Sequence, residues 1–572
     1  MDTASGPVEL LELRVLEGPN LYFPRPAVKL TLAVPGWLRA SELAVERAAE
    51  RLGIGHVRPG TAGSEQRRRT TARLAAAVTR KIAVAAGARR LAVRARSGAE
   101  PGQIVVAFPW RRRGTAEALG QAVAEAMGGV LRRSPTRLIA EVGERVRSCD
   151  PGEEPIVPEP SVPVIQVTGT NGKTTTTRLL AHLVRVSGRT VAYSSTDGVY
   201  SGDDLVQEGD YSGFGGAAIA LAQRPDVAVL ETARGGILLR GIGVAHNDVA
   251  VVTNVSADHL ELHGIQSVDQ LSEVKATITK ITRPDGWDVL NADDPRVLAM
   301  RHGITGRPWL CSTDHDHPAL REVLAEGGRA MTVLDGVLTW LEGRRSHPLL
   351  PLLDVPVTIA GISTPNTHNA MGAAAAAIGI GLPERAVIRG LRTFVMDAEH
   401  NPGRANLFRL DRRIVVIDYA HNEAGMRGLT EICDGLRRAG RDVWLTIDTA
   451  GDRTDTLLHD FAYRAARGAD HLAIAQLERY LRGRNPKDLI DRLMAGALDG
   501  GQTEVPVHPD EVTALGEMLE ASRAGDVVGV TALGQRPELF AWLDARGAER
   551  LTPGAVRRLV AAARRSRGSK RR

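Results

Sequence analysis

The sequence predicts an α/β protein of three units: an α+β N-terminal domain, a central domain built on a phosphate-binding loop, and a Rossmann-like C-terminal α/β domain. Three observations predict this. Apolar strand-like runs alternate with helical patterns in two separate series, beginning near Val164 and near Arg413. A Pro- and Glu-rich stretch separates the first series from what precedes it. A glycine-containing segment joins the first strand of that series to a helix.

In chain order, Leu11–Gly18 reads as a strand, Ala27–Val34 as a second with alternating polarity, and Gln103–Trp110 as a third. Residues 115–131 have helical periodicity, with Thr115 placed as the N-cap. These elements define a domain over 1–150. From Asp150 to Pro163 the chain holds five prolines and four acids, which predicts a stiff, extended linker over 151–162. A chain beginning near Glu159 is therefore expected to fold by itself. The central domain spans 163–400, where apolar strands separated by helices predict a parallel sheet buried on both faces. The C-terminal domain, 401–572, repeats that pattern through RIVVIDYA, DVWLTIDTA, HLAIAQ and DVVGVTALG.

From Pro163 to Leu180 a buried strand runs into a loop and then a helix starting near Lys173. Such a loop aims backbone N–H groups at an anion, and the positive end of the helix dipole reinforces them. Gly169, Thr170, Asn171, Gly172 and Thr175 form the cradle, Lys173 reaches the β- and γ-phosphates, and Thr174 offers its hydroxyl to Mg²⁺. Val167 stands where the usual pattern has its first glycine.

Composition excludes several classes. Of the 572 residues 43% are hydrophobic and 24% charged, ample for several cores and inconsistent with disorder. Cys149, Cys311 and Cys433 are too few for a disulfide framework or a four-cysteine zinc site, which fits a reducing cytoplasm. No apolar run approaches the ~18 residues of a membrane span. The net charge of +6 resides in residues 555–572, which carry eight Lys/Arg and no acid. That tail is expected to be a frayed, solvated helix end. A nucleic-acid partner is therefore not expected, although a polyanion-binding arm remains a separate reading of the tail. The triple arginines at 67–69 and 111–113 are further candidates to meet an acidic partner.

GTNGKTT, ETARGGI, TNVSADHLELHG, Lys275, LNADDP, NPGR and DYAHN follow one another in this order. Together they resemble the Mur ligase superfamily, ATP-dependent enzymes that form amide bonds, and in particular the Mur-like part of the cyanophycin synthetases. LRVLEGPNLYFPRPAVKLTL, Leu13 to Leu32, is similar to the opening of those synthetases, whose N-terminal domain holds a growing polymer. They carry an ATP-grasp domain where this chain has its short linker.

The resemblance implies ATP and Mg²⁺ as cofactors. Thr174 and Glu231 would bind a first Mg²⁺, His259 a second, and Lys275 would join them as a carbamate. Asn369 matches the residue at the adenine, with Pro365 where the family pattern has a histidine. Arg404 matches the arginine that reaches the phosphates, and Asp418 the ribose-binding aspartate. His421 and Asn422 of DYAHN, Asp452 and Arg453 of GDR, and Arg482 and Arg484 of LRGR form the implied substrate side. His263 has no implied role. The expected catalytic set is Lys173, Glu231, His259 and Lys275. The expected reaction joins an amino acid to an acidic acceptor through an acyl phosphate, releasing ADP and phosphate. Two alternatives stand beside it: the Mur-like half of a two-protein polymer synthetase with a separate ATP-grasp partner, and a non-catalytic nucleotide-binding scaffold. Acceptor, amine and oligomeric state are not legible.

Overall fold

The computed structural model describes residues 8–258, 260, 262–476 and 478–568. An antiparallel four-stranded sheet opens the chain, in the order Glu9–Leu16, Ala27–Ala33, Gln103–Pro109, Arg94–Ser97. The alternation along Ala27–Ala33 divides its faces. Val28, Leu30 and Leu32 pack beneath helices Glu65–Ala85, Arg113–Gly129 and Pro135–Ser148, while Lys29 and Thr31 turn the other way. Strand Arg94–Ser97 and helix Glu65–Ala85 were not read from the sequence.

Helix Arg113–Gly129 begins two residues before Thr115, and its N-cap position is Arg112, which makes no side-chain cap. Carbonyls of the Pro-rich stretch replace that cap. The Arg113 amide donates to the Glu153 carbonyl at 2.8 Å and the Gly114 amide to the Pro151 carbonyl at 2.9 Å. Helix N-termini leave such amides unpaired, and here the stretch satisfies them. Further along, the Ala245 amide donates to the Pro158 carbonyl at 3.0 Å. The stretch is extended as expected, yet it is fastened on both sides.

The central sheet has eleven strands. Seven are parallel, in the order Arg329–Leu334, Arg307–Cys311, Thr282–Asn291, Asn247–Val252, Val164–Thr168, Val227–Glu231, Val191–Ser195. Antiparallel strands extend both edges: Val337–Glu342 and Arg345–Pro351 on one, Gly198–Ser201 and Asp204–Glu208 on the other. The sequence pattern had suggested only the parallel part. The C-terminal sheet has seven strands, five of them parallel, with Val527–Thr531 between Val443–Ile447 and Arg413–Asp418.

Two features depart from expectation. Leu21, Tyr22 and Phe23 of the N-terminal unit join the core that lies against Ile237, Ile242 and Ile265 of the central unit. At about 1.5–3 kcal/mol for each fully buried side chain, a chain starting near Glu159 would expose a costly apolar face. The C-terminal tail is a docked helix, Pro553–Gly568, whose Ala555, Val556, Val560 and Ala563 are buried. Arg557 pairs with Asp354 at 2.6 Å and Arg567 with Asp434 at 3.1 Å, so this part of the tail is neither frayed nor free. No helix among the described residues is long and apolar enough to cross a membrane.

Candidate functional site

Strand Val164–Thr168 lies near the middle of the parallel sheet, and its C-terminal end is where open α/β sheets receive ligands. Val167 faces the core, which accounts for an apolar residue where the common pattern has glycine. The loop that follows is shaped by its neighbour strand. The Thr170 amide donates to the Asn254 carbonyl at 2.9 Å, the Asn171 amide to Asn254 Oδ1 at 2.9 Å, and Thr253 Oγ1 to the Asn171 carbonyl at 2.6 Å. Gly172 caps helix Lys173–Val186 with φ +84°, and a Cβ there would lie 2.2 Å from Asn369 Oδ1. Glycine is required at that position by conformation and by space. The same contact puts Asn369 directly against the loop. Its helix, Thr364–Gly379, starts with Pro365 in the first turn, a position that tolerates proline because no N–H is needed there.

Lys173 folds across the loop and donates to the Thr170 carbonyl at 2.9 Å. Thr174 Oγ1 donates to Glu231 Oε2 at 2.9 Å and lies 3.1 Å from Thr196 Oγ1. Glu231 is buried, and among the described residues its Oε1 has no hydrogen-bond partner. Burial raises its pKa against the pull of Lys173 and the Thr174 hydroxyl. A desolvated carboxylate oxygen without a partner, beside two hydroxyls, is a hard-oxygen donor set of the kind that suits Mg²⁺ or Mn²⁺. Thr175 Oγ1 accepts from Asn401 Nδ2 at 3.3 Å.

Lys275 ends helix Val268–Lys275 and points inward, donating to the Gly169 carbonyl at 2.6 Å. Its neighbour Glu273 pairs with Arg96 at 3.3 Å, so Lys275 is not a surface lysine paired along its own helix. Burial, then Lys173, lower its pKa well below the ordinary value. His259, expected beside it, lies outside the described residues.

The opposite wall comes from the C-terminal unit. Asp418 ends strand Arg413–Asp418 and accepts from the Ala405 amide at 2.8 Å; burial pushes its pKa up to about 6 against the pull of Arg404. The Arg404 guanidinium lies 4.3 Å from the centre of the Tyr419 ring. Asn422 and Asn171 exchange amide hydrogen bonds of 3.0 and 3.1 Å across the two units, and Asn422 also caps helix Glu423–Leu436. His421 Nε2 is 3.4 Å from Asp258 Oδ2, and burial lowers its pKa. Together these walls enclose a cleft of about 900 Å³ that Lys173, Glu231, Lys275, Asn369, Arg404 and Asp418 all line.

The expected substrate side divides. Arg482 lines the cleft and reaches Asp452, whereas Arg453 is buried and directed at Asp258 Oδ1, 3.4 Å away. Arg484 is committed to the Gly451 and Arg453 carbonyls at 2.9 and 2.8 Å and to Asp455 and Asp488 at 2.8 and 2.6 Å, so it clamps its loop instead of offering a free guanidinium. Within the arginine triplets, the reading of Arg67 is corrected as well. Arg67 is fully buried and donates to the carbonyls of Trp37, Ala40, Pro59 and Gly60, while Arg112 and Arg113 pair with Glu154 and Glu117.

Sequence reasoning missed Arg234, Asp258, Asp197 and Arg536, all of which line the cleft. Arg234 and Asp258 sit inside motifs quoted for Glu231 and His259, and that adjacency was their only signal. A second cleft of about 720 Å³ lies between the polar face of the N-terminal sheet, with Glu12, Arg14 and Lys29, and the central unit, and His263 lines both clefts.

The family model described as Mur ligase middle domain matches residues 167–377, and that described as Mur ligase, glutamate ligase domain matches 403–534, together more than half of the chain. The chain belongs to the Mur ligase family. It is 38% identical over 363 residues to the cyanophycin synthetase of Synechocystis sp., covering 63% of this chain and 41% of that protein. It is 28% identical over 403 residues to the UDP-N-acetylmuramoyl-L-alanyl-D-glutamate–2,6-diaminopimelate ligase of Synechococcus sp., covering 66% and 73%. The chain thus spans about two fifths of the length of the cyanophycin synthetases it matches. Among solved structures, E. coli FolC in complex with DHPP and ADP shares the fold at TM-score 0.52 and 21% identity, covering 68% of this chain and 90% of that one.

Proposed function

We propose that this Mur ligase family member joins an amino acid to an acidic acceptor at the expense of ATP, with Mg²⁺ held by Thr174 and Glu231. The observation that carries this reading is Glu231 Oε1, buried and, among the described residues, without a partner beside the Thr174 hydroxyl at the head of a phosphate loop. Bound ATP and its metal supply the phosphoryl group that activates a carboxylate for attack by an amine, together with neutralisation of the phosphate charge. The chain's own task is then positioning. The Thr170 and Asn171 amides, expected in the cradle, are taken by Asn254, so the first-turn amides of helix Lys173–Val186 and the Lys173 ammonium hold phosphate oxygens. Arg404 and Asp418 hold the nucleotide from the second wall, and Asn369 does so from beside Gly172. Lys275, buried near Lys173 with its proton weakly held, is suited to carbamylation, which exchanges a repelled cation for an anion. The acceptor enters by the second cleft, past His263, so that domain 1–150 presents it to domains 163–400 and 401–572. His421, Arg482 and Asp452 are proposed to face the incoming amino acid.

We further propose an acidic peptide as acceptor and a separate ATP-grasp enzyme as partner. The test is an ADP-release screen of the purified chain that crosses amino acids with acidic acceptors, followed by product masses. A product heavier by one amino-acid residue supports the reading. Nucleotide binding without ADP release in any combination overturns it in favour of a scaffold.

A further inference from the structure

Glu511 is fully buried at the first turn of helix Glu511–Ala521. Its carboxylate accepts from three successive amides: Leu533 at 2.9 Å and Gly534 at 2.6 Å on Oε1, and Gln535 at 2.8 Å on Oε2. Those amides follow strand Val527–Thr531 at the C-terminal end of a strand in the middle of the sheet. Successive converging N–H groups there form a nest fit for an external anion. This chain fills the nest with its own carboxylate. Asp448 lies alongside, bonded to the Thr531 hydroxyl, and burial together with the Glu511 charge raises its pKa well above the ordinary carboxylate value.

The next residue is Arg536. Its guanidinium lies 3.4 Å from Asp197 Oδ1 and donates to the Pro402 carbonyl at 3.3 Å. It passes Gly403 at a point where a Cβ would come within 2.7 Å of Arg536 Cδ. The other oxygen of Asp197 accepts from Arg178 at 2.9 Å. Asp197 directly follows Thr196, whose hydroxyl touches Thr174.

We propose that Glu511 is a positioning residue: by fixing the backbone of 533–535 it holds Arg536 as a latch on Asp197, closing the C-terminal unit over the nucleotide cleft. The consequence for nucleotide affinity rests on the ligase reading, but the latch itself does not.

The test uses the full chain with Glu511→Gln, Arg536→Ala and the double variant, read by small-angle scattering and by ADP titration. Each single variant should expand the chain to a similar radius of gyration and weaken ADP by about tenfold, and the double variant should do no more than Arg536→Ala alone, because residues acting through one contact are non-additive. An unchanged radius in Glu511→Gln, or a double variant that opens by the sum of the singles, overturns the latch. If the wild type binds no ADP, the ligase reading fails while the scattering comparison still decides the latch. Should Glu511→Gln not fold, Glu511→Asp, one methylene short of the nest, serves in the same comparison.

Discussion

Lys275 offers a quantitative test because its burial and its neighbours pull in one direction. Among the described residues the ammonium donates to the Gly169 carbonyl at 2.6 Å and faces Lys173 and Arg234 against Asp258. A buried cation so placed binds its proton less tightly in the folded chain than in the unfolded one. The unfolded chain therefore binds more protons between the lowered folded pKa and ~10.4, and stability rises with pH across that window by up to about 1.4 kcal/mol per unit. Lys275→Met removes the titration, so wild type and variant should diverge as pH rises through that window in metal-free, CO₂-free buffer. For a unit of this size each kcal/mol is about 2–4 °C in Tm. Catalysis supplies the second half of the test. A carbamate would place two oxygens where the ammonium stands, and losing such a fixed charge costs about 10²–10³ in kcat. Lys275→Ala should lose at least that much and regain part of it when formate or acetate occupies the vacated space. Full activity of Lys275→Ala, or parallel pH–stability curves for wild type and Lys275→Met, would refute the reasoning.

Lys173→Ala should abolish ADP release with every substrate pair while leaving the melting curve nearly unchanged; undiminished release would remove the loop from the mechanism. Glu231→Gln, isosteric and uncharged, should weaken Mn²⁺ binding followed by electron paramagnetic resonance at least tenfold. In the wild type that binding should tighten as pH rises, since the raised pKa of Glu231 makes the metal compete with a proton. Arg67→Met removes four charge-assisted hydrogen bonds and leaves four carbonyls unpaired, so the N-terminal unit should lose about 3–5 kcal/mol in denaturant titration, and a loss under about 1 kcal/mol would contradict that accounting. A chain starting at Glu159 should aggregate, because Ile237, Ile242 and Ile265 lose the cover of Leu21, Tyr22 and Phe23; a soluble monomer with intact ADP binding would show that the contact is dispensable.

What the sequence determined by itself was local or periodic. Alternation of apolar runs with helical patterns was enough for both parallel sheets, since a strand buried on both faces has to read as a continuous apolar run. Strand, glycine loop, Lys173 and Thr174 were legible because their chemistry lies within a few consecutive residues. The edge strands around Val337 and Asp204 were not, because short antiparallel additions carry no long-range pattern. Tertiary structure alone decided the rest. It turned Arg67 and Arg484 inward, where carbonyls and carboxylates from distant segments await them, and it docked the basic tail through four small apolar residues that a charge count overlooks. It set Lys275 against a loop 106 positions earlier in the chain and Arg536 against Asp197, 339 positions earlier. A charge in sequence has no partner until folding supplies one. Desolvation and pairing, which decide whether an arginine binds substrate or braces a loop, are properties of that folded neighbourhood.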